Sequence, residues 1–497
     1  MKNFKKFLIP LSFIVIIGAS LILISCGKKK DNLSNIAKNL STYTMDINFD
    51  NENKSLYAQQ TLNYVNNSDA MLKEVYFHLY VANFCRGAKN VPVDDIHYAQ
   101  AYIDGESYAT LNIIRVKLND KDIMPSYEGE DNDIMKVELS SPLEPTTSTN
   151  IYIEYSITLP KVSHRFGYTD KGINLANFYP IACVYNNGWS KNSYHANGDP
   201  FYSDMANYNI NFSCDSGLVC AFSGKATKTT DENTAYYTIN NVCVREFAVM
   251  LSPNFQLATK IDNGIEYSYY YLNDQTPNKA LQCAIDCINT FSELYYPYPY
   301  PAYTVVQSSF VYGGMEYPML SLISDNIPEY DDYLNVIVHE SAHQWWYSLV
   351  GNDQYTNPWL DEAITEFSTL LFYDNNKDYN LTHKGMLNAM QENYNLFVSV
   401  YNDVFGTLDT SLTRNISQYP TSPEYTYCVY VKGTLMYDSL YQLIGKKDFI
   451  KSLQLYAKTY AYQLSSPEGL IACFEKVTKT NLENFFDCWL NGKVIIN

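Results

Sequence analysis

The hydrophobic period of this chain changes near residue 260, and that change dictates an α+β protein with its strands first. Up to Leu257 apolar residues recur mostly at every second position. Ile151, Ile153, Tyr155, Ile157 and Leu159 fall on one face of a strand, as do Val75, Phe77 and Leu79. Turn clusters such as Asn66-Asn67-Ser68-Asp69 interrupt the runs. Short strands and frequent turns over about 200 residues predict a large β-sheet domain at 41–258. The stretch 87–110 has no clear period and reads as a loop excursion. After Lys260 strands are expected at 265–272 and 302–309, with a helix at 278–294 between them. Helices then follow at 334–349, 359–374, 382–400, 429–444, 447–460, 467–478 and 481–491. A mixed start followed by helices makes 259–497 an α+β domain.

Composition narrows the class of partner. The chain has 497 residues, with 35 Lys and Arg against 53 Asp and Glu, a net charge of −18. That balance argues against nucleic acid, whose phosphates require clustered cations. Residues 1–25 carry Lys2, Lys5 and Lys6, no acid, and an apolar run from Phe7 to Ile24, the pattern of a secretory signal. Leu23-Ile24-Ser25-Cys26 looks like a bacterial lipobox, with Cys26 the lipidated first residue of the mature chain. An uncleaved spanning anchor is the other reading, because the run sits at the lower edge of spanning length. Residues 26–40 read as the lipidated Cys and a flexible tether. Both readings place the body at the extracytoplasmic face of the cell membrane. The ten later cysteines form no C-x-x-C pair, which disfavours a thiolate metal site. Cys214 and Cys220 flank a turn signal and could bridge a hairpin; Cys283 and Cys287 share a helix face.

The chemistry-bearing segment is His339-Glu340-Ser341-Ala342-His343. Leu334, Ile337, Val338, Ala342, Trp345, Trp346 and Leu349 recur at three- and four-residue steps around it, so it lies on a helix. Four residues turn about 400°, which places both imidazoles on one face, one turn apart. Two neutral imidazoles so spaced can hold Zn²⁺, with Glu340 beside the metal as a base. With only seven His in the chain, chance expects about 0.005 such matches, so a pair of satisfied core histidines is the weak alternative. A catalytic zinc needs a third protein ligand, and Glu362 in Trp359-Leu360-Asp361-Glu362 on the next helix can supply it. Glu366, one turn on, is either an acceptor for a ligand imidazole N–H or a solvated helix carboxylate.

H-E-x-x-H, eighteen residues, then Glu resembles the gluzincin aminopeptidases of the aminopeptidase N and leukotriene hydrolase type. Gly313-Gly314-Met315-Glu316-Tyr317-Pro318 is similar to that family's G-x-M-E-N strand, and Val429-Tyr430-Val431-Lys432-Gly433 to the segment carrying its catalytic Tyr. Val244-Arg245-Glu246-Phe247-Ala248 and Phe485-Phe486-Asp487-Cys488-Trp489 also match. The resemblance runs from about Tyr43 to Trp489. It implies an N-terminal β-saddle domain followed by a thermolysin-like catalytic domain. It implies one Zn²⁺ on His339, His343 and Glu362, and Glu340 as general base. Glu316 would hold the substrate α-ammonium, with Glu362 sharing that contact, and Tyr430 would donate to the oxyanion. Tyr425 and Tyr427 are its neighbouring rivals. The implied partners are peptides with a free N-terminus, and the membrane through the lipid; no protein partner is implied. Three features depart from the family. Tyr317 stands for Asn, no segment matches the one whose Gln helps bind the substrate amine from the β domain, and the C-terminal helical domain of larger members is missing. A more open cleft is expected from the last, which keeps a gluzincin endopeptidase as an alternative. A non-catalytic binding lipoprotein is a second alternative, opposed by the full set of site residues.

Overall fold

The computed structural model describes residues 33–496, so the signal segment and Cys26 lie outside the described residues. Among the described residues no helix is long and apolar enough to cross a membrane.

The alternation read from the first half closes into one eight-stranded sheet. Ser41–Asp50 lies near its middle, antiparallel to Ser55–Val65 and parallel to Ala206–Asp215. Ser148–Thr158 follows beyond Ser55–Val65, and its Ile151, Ile153, Tyr155 and Ile157 are buried, as the period of two requires. Two four-stranded sheets complete the domain. One contains Leu72–His78 paired with Ile134–Leu143, and the other Ile173–Ala176 paired with Ala248–Ser252. The excursion at 87–110 contains only one short helical turn, Tyr98–Ala101. Cys214 and Cys220 do not bridge a hairpin: the turn between them leads from the large sheet into a smaller one, and both thiols are free, with sulfurs 3.6 Å apart. Cys283 and Cys287 are buried on their shared helix.

The second half is built on a five-stranded sheet. Three parallel strands, Ile265–Tyr271, Ala302–Ser308 and Leu320–Ser324, form its middle. Antiparallel edges are supplied by Gln256–Asp262, which straddles the division drawn at 258, and by the short strand Gly314–Met315. Helix α1 (Pro277–Leu294) connects the first two parallel strands. Helices α2 (Tyr330–Ala342) and α3 (Trp359–Asn375) carry the sequence motifs. Helices α4 (His383–Phe405), α5 (Gly433–Ile444), α6 (Lys446–Tyr460), α7 (Pro467–Thr478) and α8 (Glu483–Leu490) follow.

The helix expected at 382–400 runs on to Phe405, and two further departures from the expected bounds serve the site. The helix expected at 334–349 stops at Ala342, with His343 as its last cap. The backbone then turns through Tyr347 at φ 127°, so the Trp346 carbonyl faces back toward His343. The apolar residues 345–349 fit a helical period but pack as a buried turn. The helix expected at 429–444 begins as a π-helix over Thr426–Lys432 and becomes α-helical only from Gly433. A seven-residue π-segment leaves too short a run for its period to show against 3.6.

Arg245 fastens the two halves together. Its buried guanidinium donates to the carbonyls of Tyr347 (2.8 Å), Ser203 (2.8 Å) and Gln463 (2.7 Å). Arg245→Met keeps the stem but strands two buried acceptors, at about 1–3 kcal/mol each, and the part-buried Gln463 carbonyl. The variant should lose about 3–5 kcal/mol of stability in urea unfolding; a loss below about 1 kcal/mol would show that the clasp is not needed.

Candidate active site

Helix α2 and helix α3 bring three ligand-type atoms to one point. His339 Nε2 lies 3.1 Å from His343 Nε2 and 3.4 Å from Glu362 Oε2, and the last two are 3.2 Å apart. Atoms bound to one tetrahedral zinc at about 2.0–2.1 Å stand about 3.3–3.4 Å from each other. The triangle therefore already has the edge lengths that the ion requires. Glu362 Oε2 is buried and accepts no hydrogen bond, an orphan that a cation would satisfy. Burial opposes its charge, yet the His343 and His339 imidazoles hold Glu362 well below the usual carboxylate range. The residues fit zinc.

Both ligand imidazoles are held from behind at Nδ1, which leaves Nε2 for the metal. Glu366 Oε2 is 2.7 Å from His339 Nδ1, so the carboxylate one turn beyond Glu362 faces the site rather than solvent. His343 Nδ1 is 2.8 Å from the Trp346 carbonyl, the group exposed by the early end of α2, and 3.2 Å from Thr365 Oγ1. Glu362→Gln should lower zinc affinity at least about tenfold, since losing even a residue behind the ligands costs about 10–100-fold. Metal analysis after mild chelation reads this directly, and full retention of zinc would remove Glu362 from the ligand set.

Glu340 stands outside the three-atom triangle and lines the same cleft. It is 5% exposed and its Oε2 has no hydrogen-bond partner; burial pushes its carboxyl up to about 7 against the pull of His339 and His343. It is set against the Gly314 edge strand so closely that a Cβ on Gly314 would come 2.4 Å from Glu340 Oε1. Only glycine lets the strand and this carboxylate share the wall. Glu316, two residues on, is buried and accepts from Gln354 Nε2 at 2.9 Å. Burial drives its carboxyl well above the ordinary value. Tyr317 turns away from the cleft: its hydroxyl donates to Asn177 Oδ1 at 3.4 Å.

The π-helix supplies the opposite wall. Tyr430 stacks on His339 with ring centroids 6.0 Å apart and meets Tyr425 edge-on at 5.8 Å. The residues around it explain the Lys432-Gly433 pair. A Cβ at Gly433 would lie 2.4 Å from that of Ala363, so glycine lets this segment press against α3 beside Glu362. Buried Lys432 donates to Thr410 and to the Trp489 carbonyl, tying the segment to helix α8. Of the two rival tyrosines, Tyr425 lines the cleft, whereas Tyr427 stacks on Phe397 at 4.3 Å and stays outside it.

These groups enclose a cleft of about 430 Å³ whose walls include Glu316, Glu340, Glu362 and Tyr430. Such a volume suits one or a few amino-acid residues. The β domain contributes Arg165, ion-paired with Asp199, and Gly198 and His97. Sequence reasoning missed all four. They come from loops without period, and no local spacing marks them.

Two imidazoles and one carboxylate on adjoining helices have the ligand arrangement of a gluzincin-type zinc site. Residues 279–489 match the Peptidase family M1 domain. That match covers somewhat less than half of the chain and includes the His339, His343 and Glu362 triangle. Aminopeptidase M1-D of Oryza sativa subsp. japonica is 25% identical over 231 residues, 42% of this chain and 25% of that protein. Aminopeptidase B of Mus musculus is 27% identical over 219 residues, 41% of this chain and 33% of its own length. The matches thus span only a quarter to a third of those relatives. The M1 zinc metallopeptidase of Deinococcus radiodurans shares the fold at TM-score 0.62 and 15% identity, covering 92% of this chain and 94% of that one. A variant of that protein has been solved with a Tyr-Ser-Ala substrate, at TM-score 0.63 and 14% identity, with 92% and 94% covered.

Proposed function

We propose that this chain is a zinc aminopeptidase that removes N-terminal residues from peptides at the extracytoplasmic face of a bacterial membrane. The observation that carries the reading is the buried carboxylate Glu316, held beside the His339, His343 and Glu362 triangle in one small cleft. The lipobox-like Leu23-Ile24-Ser25-Cys26 supports the location.

Zinc, when bound, supplies a Lewis acid that polarises the scissile carbonyl and lowers the pKa of water. The remaining work falls to the chain. Glu316 accepts the α-ammonium, a charge-assisted contact that requires a free N-terminus. Glu340 takes a proton from the attacking water and hands it to the leaving amine, for which a carboxyl raised to about 7 is suited. Tyr430 donates its phenol O–H to the oxyanion as the carbonyl becomes tetrahedral. Glu366 and the Trp346 carbonyl fix the two imidazoles throughout.

The test is release of the first residue from a short peptide, followed by mass spectrometry. Activity should disappear with a chelator and return with zinc. Internal cleavage as the main product would favour the endopeptidase reading instead.

A further inference from the structure

Glu316 and Glu362 stand on different elements, and neither element by itself fixes their separation. Gln354, in the loop that leads into α3, lies between them. Its side-chain amide has two hydrogens, and both are used: Nε2 donates to Glu316 Oε1 at 2.9 Å and to Asp361 Oδ2 at 2.8 Å. Asp361 directly precedes Glu362, and its other oxygen accepts from Asn352 Nδ2 at 3.1 Å. Glu316, Asn352, Gln354 and Asp361 are all 4% exposed or less. Gln354 Oε1 has no hydrogen-bond partner, so the two carboxylates alone orient the amide. Flipping it would set a carbonyl against both of them. Acceptor atoms of Glu316 and Asp361 lie within 4.8 Å of each other and of a His343 ring nitrogen. Without the amide, the two buried carboxylates would lose the donor they share, and Asp361 would keep only its Asn352 contact.

We propose that Gln354 is a positioning residue that fixes the distance between the ammonium anchor Glu316 and the metal ligand Glu362, and so selects substrates whose amine is one carbon from the scissile carbonyl. The proposal rests on the reading of Glu316 as that anchor. Gln354 sits behind Glu316 and acts through it. A β-amino acid carries one more methylene between amine and carbonyl, and a fixed anchor rejects it, whereas a loosened anchor discriminates less.

The experiment compares wild type, Gln354→Met and Gln354→Asn on alanyl- and β-alanyl-p-nitroanilide, with zinc content measured for each. Methionine keeps the length without a donor, and asparagine keeps the donors but falls one methylene short. Gln354→Met should raise KM for the alanyl substrate about 10–100-fold with kcat less affected, as expected for loss of an oriented charge-assisted contact. Zinc content should not change, and the alanyl to β-alanyl ratio of kcat/KM should fall at least about tenfold. A merely structural role would lower both substrates equally, so an unchanged ratio overturns the proposal. If Gln354→Met fails to fold, Gln354→Asn decides: a collapsed ratio supports the proposal and a wild-type ratio overturns it. Wild type that cuts acetyl-alanyl-p-nitroanilide as fast as the free amine would defeat the Glu316 reading and the proposal with it. Wild type that discriminates, beside a Gln354→Met that keeps its ratio, defeats the proposal alone.

Discussion

Glu340→Gln should bind zinc like wild type and lose about 10²–10⁴ in kcat, the range that general acid–base catalysis provides. The side chain is not among the three atoms of the metal triangle, so the amide leaves the ligand set intact. Glutamine fills the same wall against Gly314 but can neither accept the water proton nor return it. Its buried position also means that no solvent carboxylate can take its place. Loss of zinc in this variant would make Glu340 a ligand, and turnover near wild type would place the base elsewhere.

Tyr430→Phe should lose about 10²–10³ in kcat, or about 2.7–4 kcal/mol, with KM and zinc content little changed. The phenol ring lines the cleft and stacks on His339, one of the three residues of the metal triangle. A donor placed there gains most as charge develops on the carbonyl oxygen, which is why the loss appears in kcat. Tyr427→Phe should stay within a few-fold of wild type, because that ring stacks on Phe397 outside the cleft. Tyr425 is the sharper control, since it lines the same cleft and touches Tyr430 edge-on. If Tyr425→Phe gives the large loss and Tyr430→Phe does not, the oxyanion donor is Tyr425 and the metal triangle stands unchanged.

The parts of this molecule that follow a local period were legible before any coordinates. Alternation at 151–159 located a buried strand face, and the three- and four-residue steps from Leu334 to Ala342 put His339 and His343 one turn apart. Glu362 and Glu366 were legible for the same reason, as residues four apart on one helix face. Features set by long-range packing were not. The early end of α2 depends on Trp346 folding back onto His343, and residues 345–349 are as apolar as a buried helix would be. The π-helix depends on Gly433 meeting Ala363 and on Lys432 reaching Trp489. Arg165 and Asp199 enter the cleft from β-domain loops, and Gln354 joins two carboxylates that lie 38 and 7 residues away from it. A single sequence holds no spacing rule for such meetings.

The claim that this site counts from a free N-terminus is tested most directly by offering the zinc-loaded wild-type protein one short peptide in two forms, free and N-acetylated. A buried Glu316 paired with an ammonium contributes about 1.5–3 kcal/mol, so the free peptide should be cut about 10–150-fold faster in kcat/KM, with its first residue as the released product. Equal rates on the two forms, or cleavage at the same internal bond in both, would contradict it.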